Sequence, residues 1–155
     1  MENGFVFKKA SIKDIDILTK TRIEVLRAAN ELSDDADMSL VGQESYDYYK
    51  QCFAKDIHVA YLVYYKEEFV SCGGVSFYTV MPTYHNASGK KAYIMNMYTR
   101  PEYRRRGIAI KTLDLLVQEA KSRDITQILL QATSIGRKLY ERYGFVAIED
   151  EMGLS

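Results

Sequence analysis

The stretch MNMYTRPEYRRRGIAIK, residues 95–111, decides how the rest of the chain is interpreted. An apolar run ends at Thr99, Pro101 turns the chain, and an amphipathic helical pattern begins directly after Gly107. The first turn of a helix leaves its backbone N–H groups without partners, and the helix dipole adds positive potential there. A glycine at such a start lets a phosphate approach the backbone closely. The stretch therefore predicts a pyrophosphate-binding turn; the alternative is a solvated basic turn before a surface helix.

Length, charge and cysteine count limit the class of protein. A chain of 155 residues can bury one substantial core, and we expect a single domain over residues 1–155. The formal net charge is zero, which disfavours a nucleic-acid or membrane-surface binder. Cys52 and Cys72 are too few for a disulfide framework or a zinc site, so we expect no metal and two reduced thiols in the cytoplasm. The N-terminal stretch MENGFVFKK shows no leader pattern, and no apolar run approaches membrane-spanning length.

Hydrophobic periodicity predicts six strands and four helices. Runs rich in β-branched and aromatic residues predict strands at residues 5–8, 59–65, 69–80, 92–99, 128–132 and 145–148. Apolar residues at helical spacing predict helices at residues 12–29, 40–54 and 108–122, and a fourth helix that ends near residue 143. Ser11 with Asp14 resembles a capping box, Thr133 or Ser134 is predicted to cap the fourth helix, and Gly144 to end it.

The connections between these elements predict the topology. Lys66 to Glu68 is interpreted as a hairpin turn, and Gly73-Gly74 suggests a bulge or a close backbone approach. The strand–helix–strand over residues 92–132 is a βαβ unit, so its two strands should be parallel neighbours, whereas the earlier hairpins should be antiparallel. We therefore predict an α/β (α+β) fold, in which a mixed, mostly antiparallel sheet has a central parallel strand pair and about four helices.

Two sequence blocks resemble motifs of the GNAT superfamily of N-acetyltransferases. Residues 104–109, RRRGIA, are similar to its Arg/Gln-x-x-Gly-x-Gly/Ala signature. Residues 139–145, LYERYGF, are similar to the Leu-Tyr-Glu-x-x-Gly-Phe block that ends the same fold. Each block alone is weak, but together, in this order and with a helix and a strand between them, they are specific. The resemblance implies a GNAT-like fold whose fourth and fifth strands splay apart around acetyl-CoA, with a last strand that is very short or missing.

The resemblance also implies which residues bind acetyl-CoA and act on it. Tyr140 matches the tyrosine that protonates the leaving thiolate, and a phenol has a reference pKa of about 10. A bulge in the fourth strand is implied to free an amide for the thioester oxygen. The family often has asparagine where this chain has Thr133, whose hydroxyl can still bind the pantetheine arm. The implied cofactor-binding residues are Met97, Tyr98, Thr99, Arg104, Arg105, Arg106, Gly107, Ile108, Ala109, Thr133 and Gly136.

The group that deprotonates the amine stays open at this point. The glutamate base that the family often has on the fourth strand finds no match here, and the alternatives are water held by Asn96 and the carboxylates of Glu31 and Glu44. A lone loop histidine such as His85 is more often solvated than catalytic. The acidic segment ELSDDADMS, residues 31–39, is either a solvated linker or an anionic lip that attracts a cationic amine.

With the resemblance, these residues indicate an acetyl-CoA-dependent N-acetyltransferase that acts on a primary amine of a small molecule or peptide. One alternative is a protein N-terminal or lysine acetyltransferase, which needs an open groove for an extended chain. Another is a non-catalytic acyl-CoA sensor, against which Tyr140 argues. The expected partner is the amine, with no nucleic acid and no membrane, and a homodimer is one of the oligomeric states left open.

Overall fold

The computed structural model describes residues 4–155, and within them five strands and four α-helices. Residues 1–3, part of the stretch interpreted above as lacking a leader, lie outside the described residues. The strands are β1 (Phe5–Lys9), β2 (His58–Tyr65), β3 (Glu68–Thr79), β4 (Lys90–Thr99) and β5 (Gln127–Leu130). The helices are α1 (Ile15–Ala29), α2 (Ser39–Lys55), α3 (Ile108–Ser122) and α4 (Arg137–Tyr143), and short 3₁₀ turns occur at Ile12–Asp14 and Pro101–Tyr103.

One sheet joins the five described strands in the order β1-β2-β3-β4-β5. Neighbours from β1 to β4 are antiparallel, and β4 and β5 are parallel. The predicted βαβ unit and the mixed, mostly antiparallel sheet are therefore confirmed. The parallel pair, predicted to be central, lies instead at the end of the strand order, because the strand predicted after it does not form.

The prediction of a strand at residues 145–148 is wrong. These residues have no regular secondary structure, and Val146 is 82% exposed. The ring of Phe145 lies 6.1 Å from that of Tyr140 and 5.9 Å from that of Tyr143, between centroids. Phe145 therefore holds the chain against α4, and the residues after it form no hydrogen-bonded strand pair with the sheet. Residues 151–155 also form no strand, as the resemblance implied.

Helices cover both faces of the sheet, and each face has its own core. On the face of α3 and α4, the buried residues include Val59, Tyr61, Val75, Phe77, Ala92, Ile94, Leu113, Leu116 and Tyr140. On the face of α1 and α2, they include Leu18, Val25, Tyr49, Ala60, Leu62, Phe69 and Cys72. The alternation of side chains along β2 produces this division, and each fully buried aliphatic side chain stabilises the fold by about 1.5–3 kcal/mol. Within residues 4–155, no helix is both long enough and apolar enough to cross a membrane.

The helix ends follow their local sequence signals in one case and not in another. Ser11 and Asp14 form the predicted capping box at the 3₁₀ turn that leads into α1. The predicted cap of the fourth helix at Thr133 or Ser134 is wrong, because Gly136 is the N-cap of α4 and makes no side-chain cap. The Thr133 hydroxyl instead accepts a hydrogen bond from the Gly136 amide at 3.2 Å, which closes a turn before the helix.

Candidate functional site

β4 and β5 separate at one end of their contact, which opens the sheet. The two strands pair only from Lys91 with Gln127 to Ile94 with Leu130, where β5 ends. β4 continues to Thr99 and, among the described strands, pairs there with β3 alone. The splayed strand pair that the resemblance implies is therefore present, and residues 95–99 of β4 form one wall of the opening.

A β-bulge interrupts β4 at this opening. Cys72 pairs with Tyr98 and Gly74 with Met95, so one residue of β3 faces two residues of β4. Asn96 takes a left-handed φ of 62° there, and the extra residue leaves the regular ladder. The irregularity predicted at Gly73-Gly74 is confirmed, with the extra residue on β4. The bulge provides backbone groups outside the ladder, as the resemblance implied.

The arginine-rich turn joins β4 to α3. Arg105 and Gly107 both have positive φ values, of 64° and 79°, and Ile108 and Ala109 begin the helix. The hydrogen bond from the Lys111 amide to the Gly107 carbonyl is 3.3 Å long, and the amides before it have no partner inside α3. A Cβ placed on Gly107 would meet no atom within 4 Å. The space next to Gly107 is therefore open, and free amides at a helix start are the type of site that binds phosphate groups.

The three arginine side chains have different surroundings. The Arg104 guanidinium donates to the Thr99 carbonyl at 2.9 Å and ties the turn to the end of β4. The Arg106 guanidinium donates to the Glu102 carbonyl at 3.2 Å. Arg105 is exposed on the turn. Two arginines thus brace the turn, and all three add positive potential that favours an anionic ligand.

Tyr140 belongs to the core on the α3 face, against which Met97 of the opening also packs. Tyr140 is only 8% exposed. Its hydroxyl has no hydrogen-bond partner within residues 4–155. Every fully buried polar side-chain atom in these residues has a partner, so the Tyr140 hydroxyl is not fully buried and stays accessible. Burial raises the pKa of Tyr140, so the phenol is protonated at neutral pH. A Cβ on Gly136 would lie 3.1 Å from the Tyr140 ring and 3.5 Å from the Thr133 hydroxyl, and α4 ends at Gly144 as predicted.

The three predicted residues at the end of β4 have different surroundings. Met97 lies on the α3 face, where a Cβ on Gly73 would come within 2.6 Å of its sulfur. The side chain of Tyr98 packs on the opposite face, and its carbonyl accepts a hydrogen bond from the Ser71 hydroxyl at 2.7 Å. The Thr99 hydroxyl lies 2.8 Å from the same serine. The structure thus brings Met97 and Tyr140 into one cluster and places the Tyr98 side chain outside it.

A cavity of about 370 Å³ reaches the bulge from the α1–α2 face, lined by Arg22, Glu44, Ser45, Tyr48, Tyr49, His58, Met95 and Asn96. His58, which begins β2, is 5% exposed. Its Nδ1 lies 3.1 Å from the hydroxyls of Tyr48 and Ser76, which also contact each other. Its Nε2 has no hydrogen-bond partner within residues 4–155, where every fully buried polar side-chain atom has one, so Nε2 is not fully buried. A Cβ on Gly74 would lie 3.0 Å from it.

The surroundings of His58 keep its imidazole neutral. Burial, and then the positive charge of Arg22, lower the pKa of His58 from 6.5 to about 4. Burial also raises the pKa of Tyr48 to about 12. The sequence does not reveal the role of His58, because a histidine at the start of an apolar strand has the pattern of any buried position. The only hint in the sequence is that His58 follows the aromatic cluster of α2 closely, ten residues after Tyr48, the residue that it contacts in the fold.

The other residues considered for proton transfer lie in different places. Asn96 and Glu44 line the cavity. Glu31 is exposed in the turn after α1, and His85 is exposed in the loop between β3 and β4, where its ring contacts Tyr84. Of these four residues, only Asn96 and Glu44 therefore line the cavity at the bulge.

Part of the acidic segment has a local partner. The Asp37 carboxylate accepts hydrogen bonds from the Ser39 amide at 2.9 Å and the Ser39 hydroxyl at 2.6 Å, where α2 begins. These bonds lower the pKa of Asp37. Asp37 lines a different cavity, of about 550 Å³, together with Thr19, Arg27 and Gln43. Asp37 is therefore engaged at a helix start and does not line the cavity at the bulge.

A parallel strand pair that opens beside a bulge, followed by a cationic turn at a helix start, defines the GNAT class of acetyltransferases. The model of the acetyltransferase (GNAT) family matches residues 26–145 of this chain. The match covers most of the chain, which therefore belongs to this family.

Solved structures resemble the chain over nearly its whole length. A predicted acetyltransferase from Clostridium acetobutylicum, crystallised with acetyl-CoA, is 33% identical, with a TM-score of 0.88 over 97% of this chain and 96% of that one. A GCN5-related N-acetyltransferase from Ralstonia eutropha is 22% identical, with a TM-score of 0.83 over 98% of each chain. An aminoglycoside acetyltransferase from an uncultured soil metagenomic sample, in complex with sisomicin, is 12% identical, with a TM-score of 0.73 over 99% of this chain and 96% of that one. The last two show the fold alone. No curated protein sequence matches the chain.

Proposed function

We propose that the chain is an acetyl-CoA-dependent N-acetyltransferase that acts on the primary amine of a small molecule or peptide. The observation that carries the proposal is the opening between β4 and β5, which has a bulge at Asn96 on one wall and an open cationic turn at its end. The 33% identical relative crystallised with acetyl-CoA supports the same co-substrate here. We further propose that residues 1–155 form one domain that works in the cytoplasm.

The chain's own residues have distinct roles in this proposal. Acetyl-CoA supplies the acetyl group as a thioester. Backbone amides of residues 105–109 and the three arginines bind its pyrophosphate, and a backbone group at the bulge donates where negative charge develops on the thioester oxygen. Tyr140 gives its phenolic proton to the sulfur as the C–S bond breaks. The residues that contact the pantetheine arm are Met97, Tyr98, Thr99, Thr133 and Gly136, the first three through their backbone.

The amine enters from the α1–α2 face in this proposal. It must reach the thioester carbonyl as a neutral nucleophile and then lose a proton. The neutral imidazole of His58, whose Nε2 is not fully buried, is the candidate that accepts a hydrogen bond from the amine and leads the proton to water in the cavity. A cavity of about 370 Å³ is in the range of small-molecule sites, which favours a small acceptor over an extended protein chain.

We also propose a homodimer. β5 is the last of the described strands in the sheet, so its outer edge presents unpaired backbone groups. The C-terminal segment exposes large apolar side chains, those of Val146, Ile148, Met152 and Leu154. An open sheet edge and exposed apolar side chains each favour association with another chain.

Release of the coenzyme A thiol over a panel of amines tests the enzymatic function directly. We expect thiol release that depends on both acetyl-CoA and an amine. A wild-type chain that binds acetyl-CoA but releases no thiol with any amine would instead support the sensor alternative.

Replacement of Tyr140 by phenylalanine tests the proposed acid. Tyr140→Phe keeps the ring and its packing, so kcat should fall by about 10²- to 10⁴-fold while KM for acetyl-CoA stays similar. Tyr143→Phe is the matched control, because the Tyr143 hydroxyl donates to Asp114 at 2.7 Å and has no role in the proposal. Wild-type turnover by Tyr140→Phe would show that another group protonates the thiolate.

A further inference from the structure

Arg22 brings a positive charge to the cavity at the bulge. It lies on α1, is half-buried, and donates from Nη1 to the side-chain oxygen of Asn96 at 2.9 Å. Asn96 is neutral, and no carboxylate within residues 4–155 lies within 4.0 Å of the Arg22 guanidinium. A guanidinium has five N–H donors in a fork that matches a carboxylate. Most of this donor capacity is therefore open to a ligand in the cavity.

Other arginines of the chain show what a structural arginine looks like here. Arg100 donates to both carboxylate oxygens of Glu24, each at 2.9 Å. Arg123 lies 3.0 Å from the Asp56 carboxylate. Arg100 and Arg123 are thus neutralised by carboxylates, whereas the side-chain partner of Arg22 is neutral.

A second side chain of the same cavity, that of His58, also has unused hydrogen-bonding capacity. His58 lines the cavity, and its Nε2 has no hydrogen-bond partner within residues 4–155 and is not fully buried. A hydrogen-bonding atom that lines a cavity and has no protein partner can bind a ligand there. Glu44, the one carboxylate among the residues that line this cavity, is exposed and makes no ion pair with Arg22. The cavity thus offers a cation and a neutral hydrogen-bonding group to the same molecule.

We propose that the acceptor is a free amino acid, whose carboxylate binds Arg22 and whose amine reacts at the bulge; this rests on the proposed N-acetyltransferase function and narrows its acceptor. The contact between Arg22 and Asn96 places the guanidinium beside the bulge residue. The carboxylate and the reacting amine must then be close together in one molecule, as in an α- or β-amino acid. In the reaction the amine nitrogen bonds to the acetyl carbon, the C–S bond breaks, the sulfur takes the Tyr140 proton, and the amine proton leaves through the cavity. A protein lysine carries no such neighbouring carboxylate, and a protein N-terminus carries one only where its first residue is Asp or Glu.

Acceptors with and without the carboxylate provide the test, compared at a pH at which the amines of both are neutral. We would measure kcat/KM for free amino acids and for their primary amides, with wild type, Arg22→Gln and Arg27→Gln. Arg27 is the control, because it lies on the same helix but donates to the Ser33 carbonyl and lines the other cavity. We expect wild type to prefer the acids. Arg22→Gln should lose about 10- to 100-fold in kcat/KM for the acids, mainly through KM, with little change for the amides.

Several results would overturn the assignment. Equal use of acids and amides by wild type would do so while leaving the N-acetyltransferase function intact. An equal loss for both in Arg22→Gln would mean that Arg22 only positions Asn96. Calorimetric titration of the panel acids into wild type and Arg22→Gln decides the question without turnover. If the acids bind Arg22→Gln more weakly than they bind wild type, the carboxylate site is supported even if no thiol is released. If the acids bind both proteins equally, or bind neither, the carboxylate site is rejected.

Discussion

The neutral state of His58 gives the protein a pH-dependent stability. The pKa of this imidazole is 6.5 in an ordinary setting and about 4 in the fold, because of burial and then the charge of Arg22. Between these values the unfolded chain binds more protons, so the free energy of unfolding rises with pH. The contribution of His58 is full above about pH 6.5 and is lost as the pH falls towards 4, by about 3 kcal/mol in total.

A substitution of His58 isolates this effect. We expect His58→Gln to flatten the pH dependence of the unfolding free energy between pH 4.5 and 7, as measured by urea denaturation. His85→Gln is the matched control, because His85 is the only other histidine and is exposed. A slope in His58→Gln that equals the wild-type slope would show that the folded imidazole titrates normally.

The role of an individual residue could be predicted from the sequence only where its neighbours in the sequence form a recognisable motif. Tyr140 stands in a local block, so its position could be found without a structure. The partners of His58 are Tyr48 and Ser76, ten and eighteen residues away. Ser76 meets His58 through the pairing of β2 with β3, and Tyr48 meets it only when α2 packs on the sheet. Arg22 and Asn96 are 74 residues apart. No local pattern records such contacts.

At the scale of elements, the turn between β4 and α3 tests the pyrophosphate site. Gly107→Glu places a carboxylate in the open space before the helix, where it would repel a phosphate, so acetyl-CoA binding should be abolished in calorimetry. Gly107→Ala is the control for backbone strain. Its Cβ meets nothing within 4 Å, but the φ of 79° disfavours any side chain by about 1–2 kcal/mol.

The two variants separate charge from strain. We expect Gly107→Ala to lower the melting temperature and keep much of the affinity for acetyl-CoA. Near-normal affinity in Gly107→Glu would rule out a pyrophosphate at this turn.

Element order was predictable because apolar periodicity is a local property, whereas pairing is not. The span of α3, residues 108–122, agrees with its prediction. The turn between β2 and β3 was found from its flanking strands, although Lys66 and Glu67 take positive φ values of 50° and 66° without a glycine. The strand predicted at residues 145–148 failed because composition alone cannot show that Phe145 is held by α4.

For the whole molecule, the open edge and the apolar C-terminal segment predict self-association. We expect sedimentation equilibrium to show a dimer, and a Val146→Asp/Ile148→Asp double variant to shift it towards monomer. Met81→Asp is the control, because Met81 is 84% exposed in the loop between β3 and β4, outside the segment. A wild-type monomer at all concentrations, or a dimer unaffected by the double variant, would contradict the proposed interface.

The burial of both cysteines means that the folded protein contributes almost no signal to a dye-based assay of thiol release. Cys52 and Cys72 are buried, burial raises the pKa of Cys72 to about 12, and its thiol donates to the Asn96 carbonyl. Aromatic disulfide dyes react with thiolates, so the folded chain gives them almost no target. Colour that develops during turnover then measures released coenzyme alone. When the chain unfolds, its two thiols become reactive. In the absence of substrate, the rate of the dye reaction therefore reports the rate of unfolding.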